Sequence, residues 1–246
     1  MEKSFIANEK VGHVAGTLVH TKRGLVPIEQ IQAGDLVLSQ PEQTGALAYK
    51  QVEETFVSDD AETWLVEYRM TDLELESRDE FDYDAWREEI VFGDEKNTRY
   101  KTGYLVATGN HTVWVKGEGW TRVDALAENL DGVCVMLSKD GKSVVVSGSR
   151  PMYKSAIVGV GVAFEPATGC VGPRIDLRDG KIVVCAIDAQ NASDIQFVQD
   201  SLCFVDEIPL TQKVYNFRVA EFSTYYVGEE GILVSCTNLA KQKFAK

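Results

Sequence analysis

The sequence predicts an all-β protein, and three features predict it. Apolar residues fall in short runs rich in Val, Ile and aromatics, turn signals built from Gly, Asp and Asn separate the runs, and helical signals are few and short. In chain order, Pro27 opens a single helical turn over Ile28 to Ile31, and the strand Leu36 to Leu38 follows it. Strands Trp64 to Tyr68, Tyr104 to Ala107 and Val113 to Val115 come next. The tetrad Lys139-Asp140-Gly141-Lys142 joins Val133 to Leu137 with Val144 to Val146, and Arg178-Asp179-Gly180-Lys181 precedes Ile182 to Ile187. In both tetrads Asp-Gly supplies the positive φ of a tight hairpin. Val214 to Val219, Tyr225 to Val227 and Ile232 to Val234 close the strand set. The remaining helical signals are Asp84 to Ile90, Asp124 to Asn129 with Asp124 as its N-cap, and a tail from Leu239 to Lys246.

Composition narrows the function classes. With 246 residues, 44% of them hydrophobic, the chain can bury a full core as one elaborated domain. Thirty-eight acids against 25 bases give a net charge of -13, which repels a phosphate backbone and argues against nucleic acid as a partner. No apolar run reaches the ~18 residues of a membrane span, and Met-Glu-Lys-Ser at the start lacks the pattern of a signal peptide, so the chain as given reads as cytoplasmic and free of the membrane. Five widely spaced cysteines without a Cys-x-x-Cys pair predict reduced thiols rather than a disulfide framework or a zinc site. Three histidines argue against a His-rich metal centre, and the absence of a phosphate-cradling loop or a Gly-x-Ser-x-Gly turn leaves no cofactor to expect.

Two stretches differ from the rest. Residues 71–95 hold eleven acids against two bases, interleaved with Phe81, Tyr83, Trp86 and Phe92. Such a run is a solvated insertion or, alternatively, a docking surface for a basic protein partner. Residues 147–206 are less charged, and their apolar runs are as long as those elsewhere, which predicts inserted β structure rather than a linker.

The first motif is GHVAGTLVHTKRGLVPIEQIQAGDLVLS, from Gly12 to Ser39. Its Gly-Thr step allows close backbone approach, and Gly34-Asp35 turns the chain back. It is followed by LVATGNHTVWV, Leu105 to Val115, then GEGWTRVDALAENLDGV, Gly117 to Val133, and finally VYNFRVAEFSTYYVGEEGILVSC, Val214 to Cys236. Four blocks in this order resemble the Hint family, the self-processing domains of inteins and hedgehog proteins. The likeness is nearest to bacterial Hint domains upstream of toxin modules in polymorphic toxins and Rhs-type proteins.

The resemblance implies a horseshoe-like β fold over 12–146 and 207–238, with the insertion 71–95, the inserted segment 147–206 and the tail 239–246 outside its common part. It also implies that the start and end of the domain meet in one pocket. There a Cys or Ser attacks the carbonyl before it, a Thr-x-x-His block polarises the amide and protonates the leaving nitrogen, and a late His with a final His-Asn releases the C-side. Thr108 and His111 occupy the Thr-x-x-His positions. Gly12 stands where the nucleophile belongs, Ser223 where relatives have the late His, and Ser235-Cys236 where they end in His-Asn. His13 fills the slot of an aromatic, Cys236 is a buried apolar residue at a strand end or a displaced second nucleophile, and His20 lies on a strand surface. Loss of a covalent nucleophile removes several powers of ten in rate. The expectation is therefore a Hint domain that has lost, or nearly lost, self-cleavage and serves as a scaffold or interaction module in a secreted toxin system, with a flanking toxin module or a basic protein as partner. The alternatives are a cis-acting self-processing domain with residual or disabled activity, and an acidic binder that neutralises a basic protein.

Overall fold

The computed structural model describes residues 10–41, 45–71, 101–126, 134–165, 170–185 and 208–237. Sixteen strands among them form one connected sheet. In chain order these are β1 (His13–Val14), β2 (Leu18–Thr21), β3 (Gly24–Pro27), β4 (Leu36–Ser39), β5 (Ala48–Thr71), β6 (Lys101–Thr108), β7 (Thr112–Val115) and β8 (Gly119–Arg122). They continue as β9 (Val135–Leu137), β10 (Ser143–Lys154), β11 (Val160–Glu165), β12 (Cys170–Asp176), β13 (Val183–Cys185), β14 (Thr211–Val219), β15 (Thr224–Val227) and β16 (Ile232–Ser235). The described helical elements are three 3₁₀ turns, Ile28–Gln30, Val123–Ala125 and Arg178–Gly180. No helix of the described residues is long and apolar enough to cross a membrane. The helical signals at 84–90 and 239–246 and all of the acidic insertion except Thr71 lie outside the described residues.

β5, 24 residues long, is the spine. Its first residues pair with β4, its middle with β14, and its last third with β6 and β10. A strand this long stays in one sheet only by bending, and the register shifts opposite Gln212/Val214 and Arg218/Val219, with Asp60 at φ 53°, supply the bends. Two apolar clusters lie on its faces. The larger gathers Val19, Val37, Val66, Val113, Phe217, Tyr225 and Val234, and the smaller gathers Val14, Leu65, Val106, Met152, Ile175 and Val214.

Both Asp-Gly turns form as their chemistry requires. Gly141 has φ 76° between β9 and β10, and Asp179 and Gly180 have φ 60° and 64° between β12 and β13. Asp124 does not cap a helix. Its carboxylate accepts from Nε, at 2.8 Å, and Nη2 of the Arg122 guanidinium, and the 3₁₀ turn after Arg122 has no side-chain cap. The bidentate pair with Arg122 takes up both carboxylate oxygens. The rest of that predicted helix, 127–129, lies outside the described residues. His20 is half-buried rather than superficial, because its Nε2 sits 2.8 Å from the Gly228 carbonyl oxygen.

β10 runs without a break across 146/147, where the sequence places the start of the inserted segment, with a register shift between Val146 and Gly148. The strands that follow bring the turn Arg178–Gly180 back onto the Ala15-Gly16-Thr17 bend beside the chain's start. Gly16 has φ 83°, donates its N–H to Glu29 Oε2 at 2.8 Å, and would place a Cβ 2.5 Å from the Gly180 carbonyl oxygen. Gly16→Ala is expected to lower stability by about 1–3 kcal/mol, read as a fall in the urea midpoint, because backbone on both sides must move.

Candidate functional site

The N-side of the site is built by β1, a two-residue strand held between β14 and β6, with His13 opposite Tyr215 and Ala107. Immediately before it, the Gly12 N–H donates to Thr108 Oγ1 at 3.2 Å, and the Thr108 N–H donates to the Gly12 carbonyl at 3.0 Å. Thr108 ends β6. The turn through Gly109 and Asn110 closes when the His111 N–H donates to the Thr108 carbonyl at 3.0 Å. The Thr108 hydroxyl is thus carried to the peptide preceding Gly12, while the same turn sets the His111 imidazole against the His13 ring, local geometry of the Thr-x-x-His sequence.

No side chain can occupy position 12 in this packing. A Cβ there would lie 2.4 Å from the Tyr215 carbonyl oxygen and 2.9 Å from its carbon. Backbone from β14 fills the space that a nucleophilic side chain would need.

Two imidazoles share the interior. The His13 and His111 rings lie 4.3 Å apart between centroids, tilted by 48°, and both residues are fully buried. Burial holds the His111 pKa at about 4, the Thr112 carbonyl offsetting only part of the penalty. Burial and the neighbouring His111 hold His13 well below the usual histidine range. Neither nitrogen of His13 makes a well-formed hydrogen bond. Desolvation of the charged form is the dominant cause in both cases, so both rings are neutral near pH 7.

A buried polar chain links His111 to the C-side. His111 Nε2 lies 3.4 Å from Tyr225 Oη, and Tyr225 donates to Asn216 Oδ1 at 3.1 Å. The Phe217 N–H also donates to Oδ1, at 2.9 Å, which fixes the amide so that Asn216 Nδ2 donates to the Cys236 carbonyl at 3.4 Å. The Cys236 N–H donates to the Ser223 carbonyl at 3.0 Å, with Ser223 at φ 57°. Ser235 Oγ contacts the same carbonyl at 3.4 Å, accepts from the Thr237 N–H at 3.1 Å and lies 3.2 Å from Thr237 Oγ1. Burial pushes the Cys236 thiol up to about 11, where it is neutral and unreactive at neutral pH.

The structure therefore gathers Gly12, Thr108 and His111 on one side and Ser223, Ser235 and Cys236 on the other, with Tyr225 and Asn216 between them. His13, Asn216 and Tyr225 were not singled out by the motifs as working positions. The available signal was their place within blocks already quoted, Val-Tyr-Asn and Thr-Tyr-Tyr. Asn238, two residues past Cys236 and a candidate for a displaced cyclising asparagine, lies outside the described residues. Among the described residues no group of three or more His, Cys, Asp and Glu side chains could hold a metal ion.

Residues 18–72 match the family described as the pretoxin HINT domain. A bacterial intein-like domain from Clostridium thermocellum, solved in solution, is 22% identical to this chain with a TM-score of 0.49, over 92% of this chain and 99% of that one. A DnaB intein from Synechocystis sp. PCC 6803 is 11% identical with a TM-score of 0.43, over 92% and 98%. No curated protein matches the chain.

Proposed function

We propose that this Hint-family domain, of the pretoxin kind along residues 18–72, keeps the pocket of a self-processing domain but no longer cuts at its N-side, and serves as a scaffold for a flanking toxin module. The observation that carries the reading is the closure of position 12: the Thr108 hydroxyl meets the N–H of Gly12, while the Tyr215 carbonyl lies 2.4 Å from where a nucleophile's Cβ would start. Without that nucleophile the hydroxyl and imidazole supply only positioning and polarisation, which leaves the rate many powers of ten below a covalent route. The replacement of the late His by Ser223 and of the final His-Asn by Ser235-Cys236 removes the C-side route through asparagine cyclisation as well.

The test is the full chain carried between two folded reporters and followed by intact mass over several days. The expected result is a fusion that stays whole at the Val11–Gly12 bond. A clean cut at that bond overturns the proposal. A second reading, a cis-acting domain with residual activity confined to the C-side, is favoured by one contact, the Asn216 amide on the Cys236 carbonyl.

A further inference from the structure

We propose that the groove beside the outer edge of β6 is a docking site for an extended, lysine- or arginine-bearing segment of a partner protein, which adds to the sheet as one more strand. The inference goes beyond the scaffold reading and does not depend on it. β1 pairs with β6 in antiparallel fashion, His13 opposite Ala107, and the same register continued would set Ala15 opposite Leu105 and Thr17 opposite Gly103. The pairing stops short of that. At Gly16, φ 83°, the chain turns away, and between this bend and residues 101–105 opens a cavity of about 720 Å³.

The abandoned edge offers what a strand needs. Alternate residues of an antiparallel strand direct both N–H and C=O to the same neighbour. Thr108 directs its N–H outward, to the Gly12 carbonyl, and β6 keeps one register with β5 from 101 to 108, so Thr102 and Tyr104 turn their backbone groups outward as well, into the groove they line. Neither has a backbone partner on that side among the described residues. On the opposite wall Thr17 is 2% exposed, and its hydroxyl makes no hydrogen bond among the described residues. A guest backbone would satisfy that buried group, whose isolation otherwise costs free energy.

Charge selects the guest. The walls carry Glu29, Asp179, Glu229 and Glu230 against Lys101 and Lys181. Lys101, its side chain 62% exposed, sits 2.8 Å from Glu229 and 3.0 Å from Glu230, the place that an incoming ammonium or guanidinium would share. Four carboxylates against two ammoniums, on a chain of net charge -13, repel an acidic segment. Ile182 and Val184 add apolar wall for the alternate side chains of an extended guest.

The probe is a fluorescein-labelled Lys-Val-Lys-Val-Lys-Val peptide, titrated with the full chain and read by anisotropy and by amide hydrogen exchange. Two control peptides carry glutamate in place of lysine, or the same lysines with N-methylated valines. The expected result is saturable binding of the basic peptide with slowed exchange at Thr102 and Tyr104, and no binding of the glutamate peptide. N-methylation, which keeps the charge and removes the strand's donors, weakens binding by about tenfold or more. Thr17→Val weakens it about threefold to tenfold without lowering the urea midpoint, since the hydroxyl it removes has no partner in the free chain. Equal binding of the N-methylated peptide marks diffuse attraction to the net charge and overturns the proposal. Unchanged affinity in Thr17→Val, exchange protection that falls elsewhere, or no saturable binding does the same. A dimer of the chain that protects Thr102 and Tyr104 in the absence of peptide overturns the assignment of the occupant, making it a second copy.

Discussion

Lowering the pH from 7.5 to 4.5 will destabilise the folded chain more steeply than a protein with exposed histidines, and His13 and His111 will account for the excess. Both imidazoles are held neutral by burial, His111 with a pKa of about 4 against an ordinary value of 6.5. The sign follows from which state binds the proton. Below 6.5 the unfolded chain protonates each ring and the folded chain does not, so stability present above 6.5 falls as the pH drops and levels off only near the folded-state value. The slope is at most about 1.4 kcal/mol per pH unit for each ring, and His111 alone loses about 3 kcal/mol across its window. Denaturant midpoints at pH 7.5, 6 and 4.5 measure this. His13→Phe, which replaces a buried imidazole by an apolar ring, is expected to flatten the profile and raise the midpoint at pH 4.5. Parallel profiles for the two proteins would remove His13 from the account. The carboxylates held low by partners, Glu230 by Tyr68 and Lys101 and Asp176 by Arg178, lose their contribution as the pH falls from the ordinary carboxylate value, 4.5 or 3.8, through the lower folded-state value.

Gly12→Cys is expected to destabilise the protein without restoring N-side cleavage. The new Cβ meets the Tyr215 carbonyl at 2.4 Å, and the obstruction is backbone in a paired strand, which cannot rotate aside as a side chain would. Relief requires β1 and β14 to part at the His13–Tyr215 pair, which also disturbs the bonds between Gly12 and Thr108. Forced overpacking of this kind costs about 1–3 kcal/mol, and a lower thermal midpoint together with an uncut fusion is the result to look for. A variant as stable as the parent that also cuts before its new cysteine would show that the pocket had only lost its thiol, not closed over it.

How much of this was written in the sequence follows from how local each feature is. The Thr-x-x-His turn is legible because it closes on itself, through one hydrogen bond between residues three apart. The strands are legible for the same reason: Val214 to Val219 and Ile232 to Val234 are β-rich segments whatever pairs with them. What could not be read is what register decides. The closure of position 12 depends on His13 standing opposite Tyr215, some two hundred residues away in the chain, and no spacing within the first block encodes that. The His13–His111 contact and the Tyr225–Asn216 link arise the same way, from strands brought together across the sheet. The burial of His20 is not legible because alternation along β2 locates a side chain on a face, whereas the Gly228 turn that covers that face comes from the far end of the chain. The role of Asp124 is not legible because the cap rule considers one residue at a time, and Arg122 competes for its carboxylate from two positions away.

The placement of β14 has a consequence for synthesis. Its nine residues, 211–219, enter the sheet between β1 and the middle of β5, both made long before them. A nascent chain emerging from the ribosome therefore carries β1 without one of its two lateral partners until residues 211–219 have been made. Assembly has to wait for the late arrival of that strand, which favours slow folding dominated by distant contacts. The surroundings of Gly12 are accordingly complete only once β14 has taken its place beside β1.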